Sequence, residues 1–327
     1  MRIGVLCSGG DSPGMNACVR AIVRAAVSDG HEVVGFLHGY QGILTEDLFP
    51  GDNGTMSARD VSHILERGGT ILHSSRCLDF ATEEGLQTAA SVLCKLRIDG
   101  LVPIGGDGTF RGAVALSEVW DGQIIGCPGT IDNDLNGTDF TIGFATAVET
   151  AVGCIDKLRD TAESHSRLFL VEVMGRHSGH LALYTALAAS AEIACVPEVA
   201  VSADRIADRV RQFKSLGKQS IIIVVAEGDE EGGAAVLNEN LQRSNCPYPS
   251  RTVILGHVQR GGSPAPADRI LATRLGDFAV RSLANGASRM MAGEVGGHCK
   301  LVPLTETFDG HKPLPEHQIE LLDRMSC

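Results

Sequence analysis

The sequence repeats one pattern, in which a short apolar run leads through a glycine-rich turn into an amphipathic stretch. Residues 3–7 (IGVLC) lead through SGGDSPGMN into a helix-like run from Ala17 to Ser28, and residues 100–106 (GLVPIGG) lead through DGTF into another. Apolar runs that do not alternate with polar residues, and that are separated by helices, indicate a parallel sheet covered on both faces. The chain is therefore predicted to be a doubly wound α/β protein.

The same pattern begins again after Thr141, which predicts two doubly wound (Rossmann-like), three-layer lobes with a cleft between them. The predicted helices span residues 17–28, 60–67, 82–95, 111–120, 144–162, 179–191, 204–216 and 266–284. The predicted strands span residues 3–7, 33–39, 100–106, 122–127, 168–175, 220–228 and 252–259. Residues 230–250 are predicted to be the least structured stretch, because of their Gly, Asn and Pro content.

Charge and cysteine content exclude several classes of protein. The chain has 28 basic and 40 acidic residues, a net charge of −12 and no long block of Lys or Arg, which argues against a nucleic-acid-binding protein. Its ten cysteines are scattered, without a CxxC pair or a histidine at metal-ligand spacing, so we predict reduced core thiols in a cytoplasmic protein. Neither a signal peptide nor a membrane-spanning stretch is recognisable, so no membrane partner is expected.

Two glycine-rich turns are candidates for phosphate binding. SGGDSPGMN (8–16) joins a strand to a helix, so the N–H groups of Gly9 and Gly10 can receive a phosphate; a plain tight turn is the alternative. GGDGTF (105–110) leaves the backbone around Asp107 bare enough for a polyphosphate to approach. A carboxylate there repels phosphate unless Mg²⁺ lies between them, which predicts a magnesium ion. An ordinary Asp-Gly turn is the other interpretation.

A third motif, PGTIDND (128–134), places Thr130, Asp132 and Asp134 after the next buried strand. Alternate residues of an extended loop point the same way, so Asp132 can take a proton from a hydroxyl while Asp134 helps to position the metal. An Asx-turn with solvated carboxylates would explain this heptapeptide alone. It does not explain two acidic, glycine-rich loops after neighbouring strands.

Basic residues accompany the strands of the second half. MGRHSG (174–179) contains Arg176, Arg167 precedes the same strand, and GHVQRGGSP contains His257 and Arg260. Arg and His beside glycine-rich turns typically hold a phosphate monoester, although each residue alone is consistent with a solvated surface. Together the motifs predict phosphoryl transfer, with nucleotide and Mg²⁺ on the first lobe, a phosphorylated acceptor on the second, and a carboxylate as the base.

These motifs resemble the bacterial, ATP-dependent type of 6-phosphofructokinase. The resemblance covers Ile3 to about Leu304, through GVLCSGGDSPGMNA, RGGT, IGGDGT, PGTIDNDLNGTD, TIGF, VEVMGRHSGHLAL and ILGHVQRGGSPAPADR in one order. It implies transfer of the ATP γ-phosphate to the 1-hydroxyl of fructose 6-phosphate, the committed step of glycolysis. It also implies an ATP-binding lobe of residues 1–142 and 259–303 and a fructose 6-phosphate-binding lobe of residues 143–258 and 304–327.

The resemblance implies a role for each candidate site residue. ATP would contact Gly10, Arg76, Cys77, Gly106, Asp107, Gly108 and Thr109, with Mg²⁺ on Asp107. Asp132 would be the base, Thr130 would lie beside it, and Arg176 would stabilise the transferring phosphate. The sugar phosphate would contact Thr130, Ile131, Asp132, Arg167, Met174, Gly175, Arg176, Glu227, Arg251, His257 and Arg260. Of these, Arg167 and Arg251 would reach in from a neighbouring subunit, which implies a homo-oligomer, usually a tetramer.

The choice of phosphoryl donor depends on two glycines. Pyrophosphate-dependent relatives resemble GGDD and PKTIDND where this sequence has Gly108 and Gly129. An Asp at the first position or a Lys at the second would fill space that the α-phosphate and nucleoside need, so ATP is the predicted donor. The alternatives are the pyrophosphate-dependent enzyme, a non-catalytic nucleotide and sugar-phosphate sensor and, more distantly, an NAD or lipid kinase. A sensor would have lost the acidic residues at 107, 132 or 134, and the other kinases would lack MGRHSG and GHVQRGGSP.

Allosteric control is expected to differ from that of the family. The family's effector site uses residues that match Arg20, Arg24, Arg159 and Glu192. Its basic cluster after the following helix is reduced here to Lys218, with uncharged residues at 216, 219 and 220. We therefore expect a weakened or altered response to nucleoside diphosphate and phosphoenolpyruvate.

Overall fold

The computed structural model describes residues 1–228 and 232–326. The strands are β1 (Arg2–Cys7), β2 (Glu32–Gly35), β3 (Thr55–Met56), β4 (Gly100–Gly105), β5 (Gln123–Thr130), β6 (Ile142–Gly143), β7 (Leu168–Val173), β8 (Ile193–Cys195), β9 (Ile221–Ala226), β10 (Ser250–Ile254), β11 (Met290–Val295) and β12 (His298–Pro303). The helices are α1 (Met15–Ser28), α2 (Tyr40–Thr45), α3 (Glu83–Lys95), α4 (Asp107–Leu116), α5 (Phe144–His165), α6 (His180–Ala188), α7 (Ala203–Ser215), α8 (Gly233–Arg243), α9 (Pro266–Ala284), α10 (Leu304–Thr307) and α11 (Glu316–Met325). Short 3-10 helices span Asp52–Gly54, Asp79–Ala81 and Gly256–Arg260.

The first compact unit comprises Met1–Thr130, Leu135–Thr146 and Arg260–His311. Its sheet has the order β12-β11-β5-β4-β1-β2-β3, with β6 on β5. The strands from β2 to β11 are parallel, and the antiparallel strands β3 and β12 form its edges. One apolar cluster packs α1 and α9 on one face, and another packs α3 and α4 on the other, which explains why β4 and all of β1 after Arg2 are apolar.

The second compact unit comprises the described residues within Ile131–Asp134, Ala147–Gln259 and Lys312–Cys327. Its sheet has the order β10-β7-β9-β8 and is parallel throughout. Every residue of the central strand β9 is buried, and α7 and α8 pack on one of its faces. The predicted fold class of two doubly wound, Rossmann-like units is confirmed. The lobe boundaries stay a prediction.

Several details of the predicted secondary structure are wrong. The predicted strand 33–39 ends at Gly35. Residues 60–67 form turns instead of a helix, because a Ser57–Asp60 turn precedes them and Gly68 and Gly69 follow too closely for a stable helix. Within 230–250, residues Gly233–Arg243 form helix α8, whose Ala234, Leu237 and Leu241 lie at helical spacing and are buried. The predicted strand 252–259 ends at Ile254 and is followed by a 3-10 helix. The helices α2 and α11 and the hairpin of β11 and β12 were not foreseen.

The cysteines among residues 1–228 and 232–326 are free thiols, and Cys7, Cys18, Cys127 and Cys195 are buried in the core, whereas Cys94 is exposed. Burial raises the pKa of the Cys7 thiol to about 12, which makes it unreactive at neutral pH. Among the described residues, none of the helices is both long and apolar enough to span a membrane.

Candidate active site

A cavity of about 420 Å³ lies in the first unit, beside the turn that follows the carboxyl end of β1. Its lining residues are Gly9, Gly10, Asp11, Thr70, His73, Ser74, Arg76 and Arg260. A Cβ atom at Gly10 would lie 3.2 Å from Nη1 of Arg260, so only glycine fits there without displacing the arginine. Two arginines beside a glycine-rich strand-to-helix turn form a site that suits a polyphosphate.

Several residues of this cavity were missed from the sequence. Asp11, Thr70, His73 and Ser74 line it although neither motif analysis nor the resemblance singled them out. The sequence offered a signal for them, because they lie in the stretches GGDS and TILHSSR, which also contain the predicted ATP contacts Gly10 and Arg76. Arg260 was predicted to hold the sugar phosphate, whereas in this structure its guanidinium lies against the glycine-rich turn of the first unit.

One hydrogen bond attaches the second glycine-rich turn to the first, and another attaches it to α2. Oγ1 of Thr109 donates to the carbonyl of Ser8 at 3.0 Å, and the hydroxyl of Tyr40 donates to the carbonyl of Thr109 at 2.6 Å. Gly106 precedes α4, so its backbone lies at a helix N-terminus. Cys77 directly follows the lining residue Arg76 in the sequence. It is half-buried, and its Sγ lies 3.2 Å from Oε1 of Gln41.

Asp107 begins helix α4 and is the predicted magnesium ligand. Its Oδ1 pairs with Nε of Arg111 at 2.6 Å, and Arg111 in turn lies over the ring of Phe308 at 4.3 Å. Among residues 1–228 and 232–326 there is no group of three or more side chains that forms a metal site. A half-exposed carboxylate of this kind fits Mg²⁺, which typically takes one or two carboxylates and completes its shell with phosphate oxygens and water.

The two glycines that were predicted to select ATP differ in their surroundings. A Cβ atom at Gly108 would meet nothing within 4 Å, so the predicted open space is present there. A Cβ atom at Gly129 would lie 3.0 Å from Cγ2 of Ile104 and 3.1 Å from Cε of Met15, inside the core. The expectation of open space at position 129 is therefore wrong, because that face of β5 is packed against apolar side chains.

Thr130 ends strand β5 beside Gly106. A Cβ atom at Gly106 would lie 3.4 Å from Cβ of Thr130, so the ends of the two strands are in close contact. The carbonyl of Thr130 accepts a hydrogen bond from Oγ1 of Thr141 at 2.7 Å. The end of β5 is thus held by the neighbouring segment and not only by strand pairing.

Asp132 and Arg176 form an ion pair within the second unit. Nε of Arg176 lies 3.6 Å from Oδ2 of Asp132, whose side chain is only 6% exposed. Oγ of Ser178 donates to the carbonyl of Asp132 at 3.0 Å, and the N–H of Arg176 donates to Oε1 of Glu227 at 2.9 Å. Ile131, which was also assigned to the site, is buried beside Asp132. A buried carboxylate beside an exposed guanidinium is suited to proton abstraction next to a phosphate.

The residues that follow β7 are held by the 3-10 helix that follows β10. The N–H of Met174 donates to Oε1 of Gln259 at 3.1 Å, and Gln259 is fully buried. Gly175 has a φ of 131°, which favours glycine, and directs the chain into Arg176. His257 lies in the 3-10 helix after β10 and is exposed. Gln259 was missed, although it lies between the two predicted basic residues of GHVQR.

Arg167 and Arg251 lie near the amino ends of the strands of the same sheet. Arg167 immediately precedes β7, and Arg251 is the second residue of β10, paired with Phe169. Met174 follows the carboxyl end of β7, seven residues further along, which in a strand corresponds to roughly 20 Å. The two arginines are therefore remote from Asp132 and Arg176 within one chain.

The predicted effector residues are spread over both units. Arg20 and Arg24 lie on α1. In the second unit, the guanidinium of Arg159 donates to the carbonyl of Ala189 at 2.6 Å. Nζ of Lys218 donates to Oε1 of Glu192 at 3.0 Å, and the buried Glu192 also accepts the N–H of Ile222.

His180, the first residue of α6, gives a pH-dependent stability. Burial, and then the positive charge of Lys312, lower its pKa from 6.5 to about 4. Between these two pH values the unfolded chain binds a proton that the folded chain does not, so stability falls as the pH falls from about 6.5 to about 4. We expect the melting temperature of His180→Gln to fall less over this range than that of the unsubstituted protein. Parallel curves in calorimetry at matched pH values would contradict the prediction.

Comparison with known proteins agrees with these features. Residues 2–283 match the family profile described as Phosphofructokinase. The chain is 50% identical over 313 residues to the ATP-dependent 6-phosphofructokinase 1 of Thermus thermophilus, covering 96% of this chain and 95% of the relative. It is 48% identical over 325 residues to the ATP-dependent 6-phosphofructokinase of Paenibacillus macquariensis, covering 99% and 98% of the two chains.

Solved structures show the same fold. The phosphofructokinase of Saccharomyces cerevisiae has a TM-score of 0.84 and 34% identity over 98% of this chain, which spans 45% of that longer chain. A pyrophosphate-dependent phosphofructokinase from Marinobacter aquaeolei has a TM-score of 0.85 at 21% identity, covering 98% of this chain and 91% of the other, a likeness of fold alone.

The doubly wound fold, the glycine-rich turns and the carboxylate–arginine pair define a phosphoryl-transfer enzyme. Within that class, the family profile and the sequence identity to the relatives identify the family. The chain belongs to the phosphofructokinase family.

Proposed function

We propose that the protein is an ATP-dependent 6-phosphofructokinase, which phosphorylates D-fructose 6-phosphate to fructose 1,6-bisphosphate in glycolysis. The observation that carries the proposal is the ion pair of the buried Asp132 with Arg176, where proton abstraction and phosphate stabilisation can occur side by side. Two curated relatives at 50% and 48% identity over nearly the whole chain bear the name of this activity. A cytoplasmic location is part of the same proposal.

ATP is assigned to the first unit. Its phosphates would lie in the cavity of Gly10, Arg76 and Arg260, and its remaining contacts would be Cys77 and the turn Gly106–Thr109. Asp107 would hold Mg²⁺, which neutralises charge on the β- and γ-phosphates when bound. Arg111, one turn further along α4, pairs with this carboxylate.

Asp132 would take the proton of the sugar 1-hydroxyl as that oxygen attacks the γ-phosphorus, and the bond from this phosphorus to the bridging oxygen of ADP breaks. Arg176 would stabilise negative charge on the transferring group, and Thr130 would lie beside it. The left-handed backbone of Arg176, with a φ of 52°, is held by Glu227, so the guanidinium is positioned before substrate arrives.

The acceptor sugar phosphate is assigned to the second unit. The assigned residues follow the carboxyl ends of β7, β9 and β10; they are Met174, Gly175, Glu227 and His257. They would hold the sugar and its 6-phosphate. Arg167 and Arg251 lie at the amino ends of these strands, so we propose that they complete the site of a neighbouring subunit in a homo-oligomer. The resemblance to the family implies a tetramer.

Regulation is proposed to be weaker than in the family. Lys218, the one lysine left in the eroded cluster, is already paired with the buried carboxylate of Glu192. The guanidinium of Arg159 is bonded to the end of α6. An anionic effector would have to compete with these internal contacts, which lowers its affinity.

A steady-state assay with fructose 6-phosphate tests both the activity and the donor. We expect turnover with Mg-ATP and none with pyrophosphate, and the reverse result would overturn the proposal. Gly108→Asp should lower kcat/KM for ATP by about tenfold or more, because a carboxylate in this open position repels phosphate and reduces the space for the nucleoside.

Gly153→Asp is the matched control. Gly153 also lies in a helix, and a Cβ atom there meets nothing within 4 Å, but it is remote in sequence from every assigned ATP residue. Its kcat/KM for ATP should equal that of the unsubstituted enzyme. Equal losses in both variants would show that an added charge, and not its position, lowers the activity.

A further inference from the structure

Four of the residues that line the nucleotide cavity lie on one irregular segment, residues 67–76, which we call the wall segment. It contains neither helix nor strand. Besides bonds of its own, it has several hydrogen bonds to residues outside the segment, which help to fix its conformation. Arg76, which is assigned to the phosphates, is its last residue, so the position of this charge depends on those bonds.

Asn16 supplies part of this support. It lies in the first turn of α1, directly after the glycine-rich turn, and is 1% exposed. Its Nδ2 donates to the carbonyls of Arg67 at 3.1 Å and Gly68 at 3.2 Å. Its Oδ1 accepts the N–H of Ile71 at 2.7 Å. Both amide protons and the carbonyl oxygen are thus bonded to the wall segment, an arrangement that suits an amide and no other side chain of this size.

The far end of the wall segment is bonded to the glycine-rich turn itself. Oγ of Ser74 donates to the carbonyl of Gly9 at 2.6 Å, and the N–H of Gly9 donates to the carbonyl of Ser75 at 3.3 Å. Both ends of the segment are therefore connected to the stretch 8–16. Asn16 is the part of this connection that lies away from the cavity, since it does not line it.

We propose that Asn16 is a positioning residue for ATP, which acts by holding the wall segment, and with it Arg76, at the correct distance from Gly10. The inference rests on the proposed assignment of ATP to this cavity. A small displacement of a charged group that binds phosphate weakens binding strongly, because charge-assisted hydrogen bonds depend on distance and direction.

Steady-state kinetics of Asn16→Asp test the inference. This variant keeps the size and the acceptor for Ile71, but it places a carboxylate oxygen against the carbonyls of Arg67 and Gly68. We expect KM for ATP to rise about tenfold or more while KM for fructose 6-phosphate changes by less than about twofold. An unchanged KM for ATP, or a fall in kcat without a selective rise in that KM, would overturn the inference.

Thr138→Val is the matched control for a structural effect. Thr138 is buried in the same unit, donates to the carbonyl of Phe140 at 2.9 Å and accepts the N–H of Glu294 at 3.1 Å, away from the cavity. It should lower the melting temperature without raising KM for ATP. A rise in that KM equal to that of Asn16→Asp would show that instability alone is the cause and would overturn the inference.

Two further measurements separate this inference from the site assignment. Arg76→Ala must raise KM for ATP; if it does not, the assignment of ATP to the cavity fails, and the inference with it. If Asn16→Asp does not fold, hydrogen exchange of the unsubstituted enzyme gives the answer: ATP should slow exchange at Ile71 and Gly9 together. Exchange at Ile71 that ATP leaves unchanged would contradict the proposed coupling.

Discussion

The Asp132→Asn variant is expected to lose turnover by about 10²–10⁴-fold, the usual contribution of a general base. Asn has nearly the same shape as Asp but cannot accept the proton of the sugar 1-hydroxyl. The buried position should be preserved, because Ser178 bonds the carbonyl of residue 132 and not its side chain. Steady-state kinetics should therefore show a low kcat with a KM for fructose 6-phosphate close to that of the unsubstituted enzyme.

Asp323→Asn is the control for this variant. Asp323 is also paired with an arginine of the second unit, Oδ1 lying 2.9 Å from Nη1 of Arg209, but it is largely exposed. It has no assigned role, so kcat should stay unchanged. Near-normal turnover of Asp132→Asn would refute the role of Asp132 as the base. An equal loss of kcat in Asp323→Asn would show that the loss is not specific to position 132.

The double variant Arg167→Ser, Arg251→Ser is expected to raise KM for fructose 6-phosphate by about a hundredfold or more, since each of the two lost charged groups contributes about 1.5–3 kcal/mol. Coexpression with Asp132→Asn should then restore activity. In a mixed oligomer the intact arginines of one subunit meet the intact Asp132 of another, so some sites are complete. The measurement is kcat/KM of the purified mixed oligomer against each parent.

A second coexpression gives the control for complementation. Asp132→Asn combined with the triple variant of Asp132, Arg167 and Arg251 contains no intact base in any subunit, and it should stay inactive. Restoration in the first pair and not in the second would support a shared site. If activity is restored in neither pair of variants, the two arginines act within their own chain or not at all, although they lie at the amino ends of the strands.

Much of the fold followed from the sequence because the parallel strands are buried on both faces. β4 and β9 are fully buried, and their unbroken apolar runs make them visible without an alignment. Helix α8 was missed because its start at Gly232 carries no side-chain cap and its first residues are glycine and alanine. The edge hairpin of β11 and β12 was missed because half-exposed edge strands have no comparable apolar run.

The candidate site was predictable where a side chain follows a buried strand. Asp107, Asp132 and Arg176 all do so, and the sequence indicated each of them. Asn16 and Gln259 were not indicated, because each acts by bonding a backbone group remote in sequence, 55 positions away for Ile71 and 85 for Met174. The packing at Gly129 was equally hidden, since it depends on which face of β5 its missing side chain would occupy.

The backbone of Arg176 has a further consequence. A left-handed conformation costs a residue other than glycine roughly 1–2 kcal/mol, and here an arginine bears that cost with a φ of 52°. Glycine at this position would relieve the strain, but it would remove the guanidinium and its ion pair with the buried carboxylate of Asp132. The strained backbone of residue 176 is therefore a cost of placing an arginine beside this carboxylate, and catalysis sets the residue at this position.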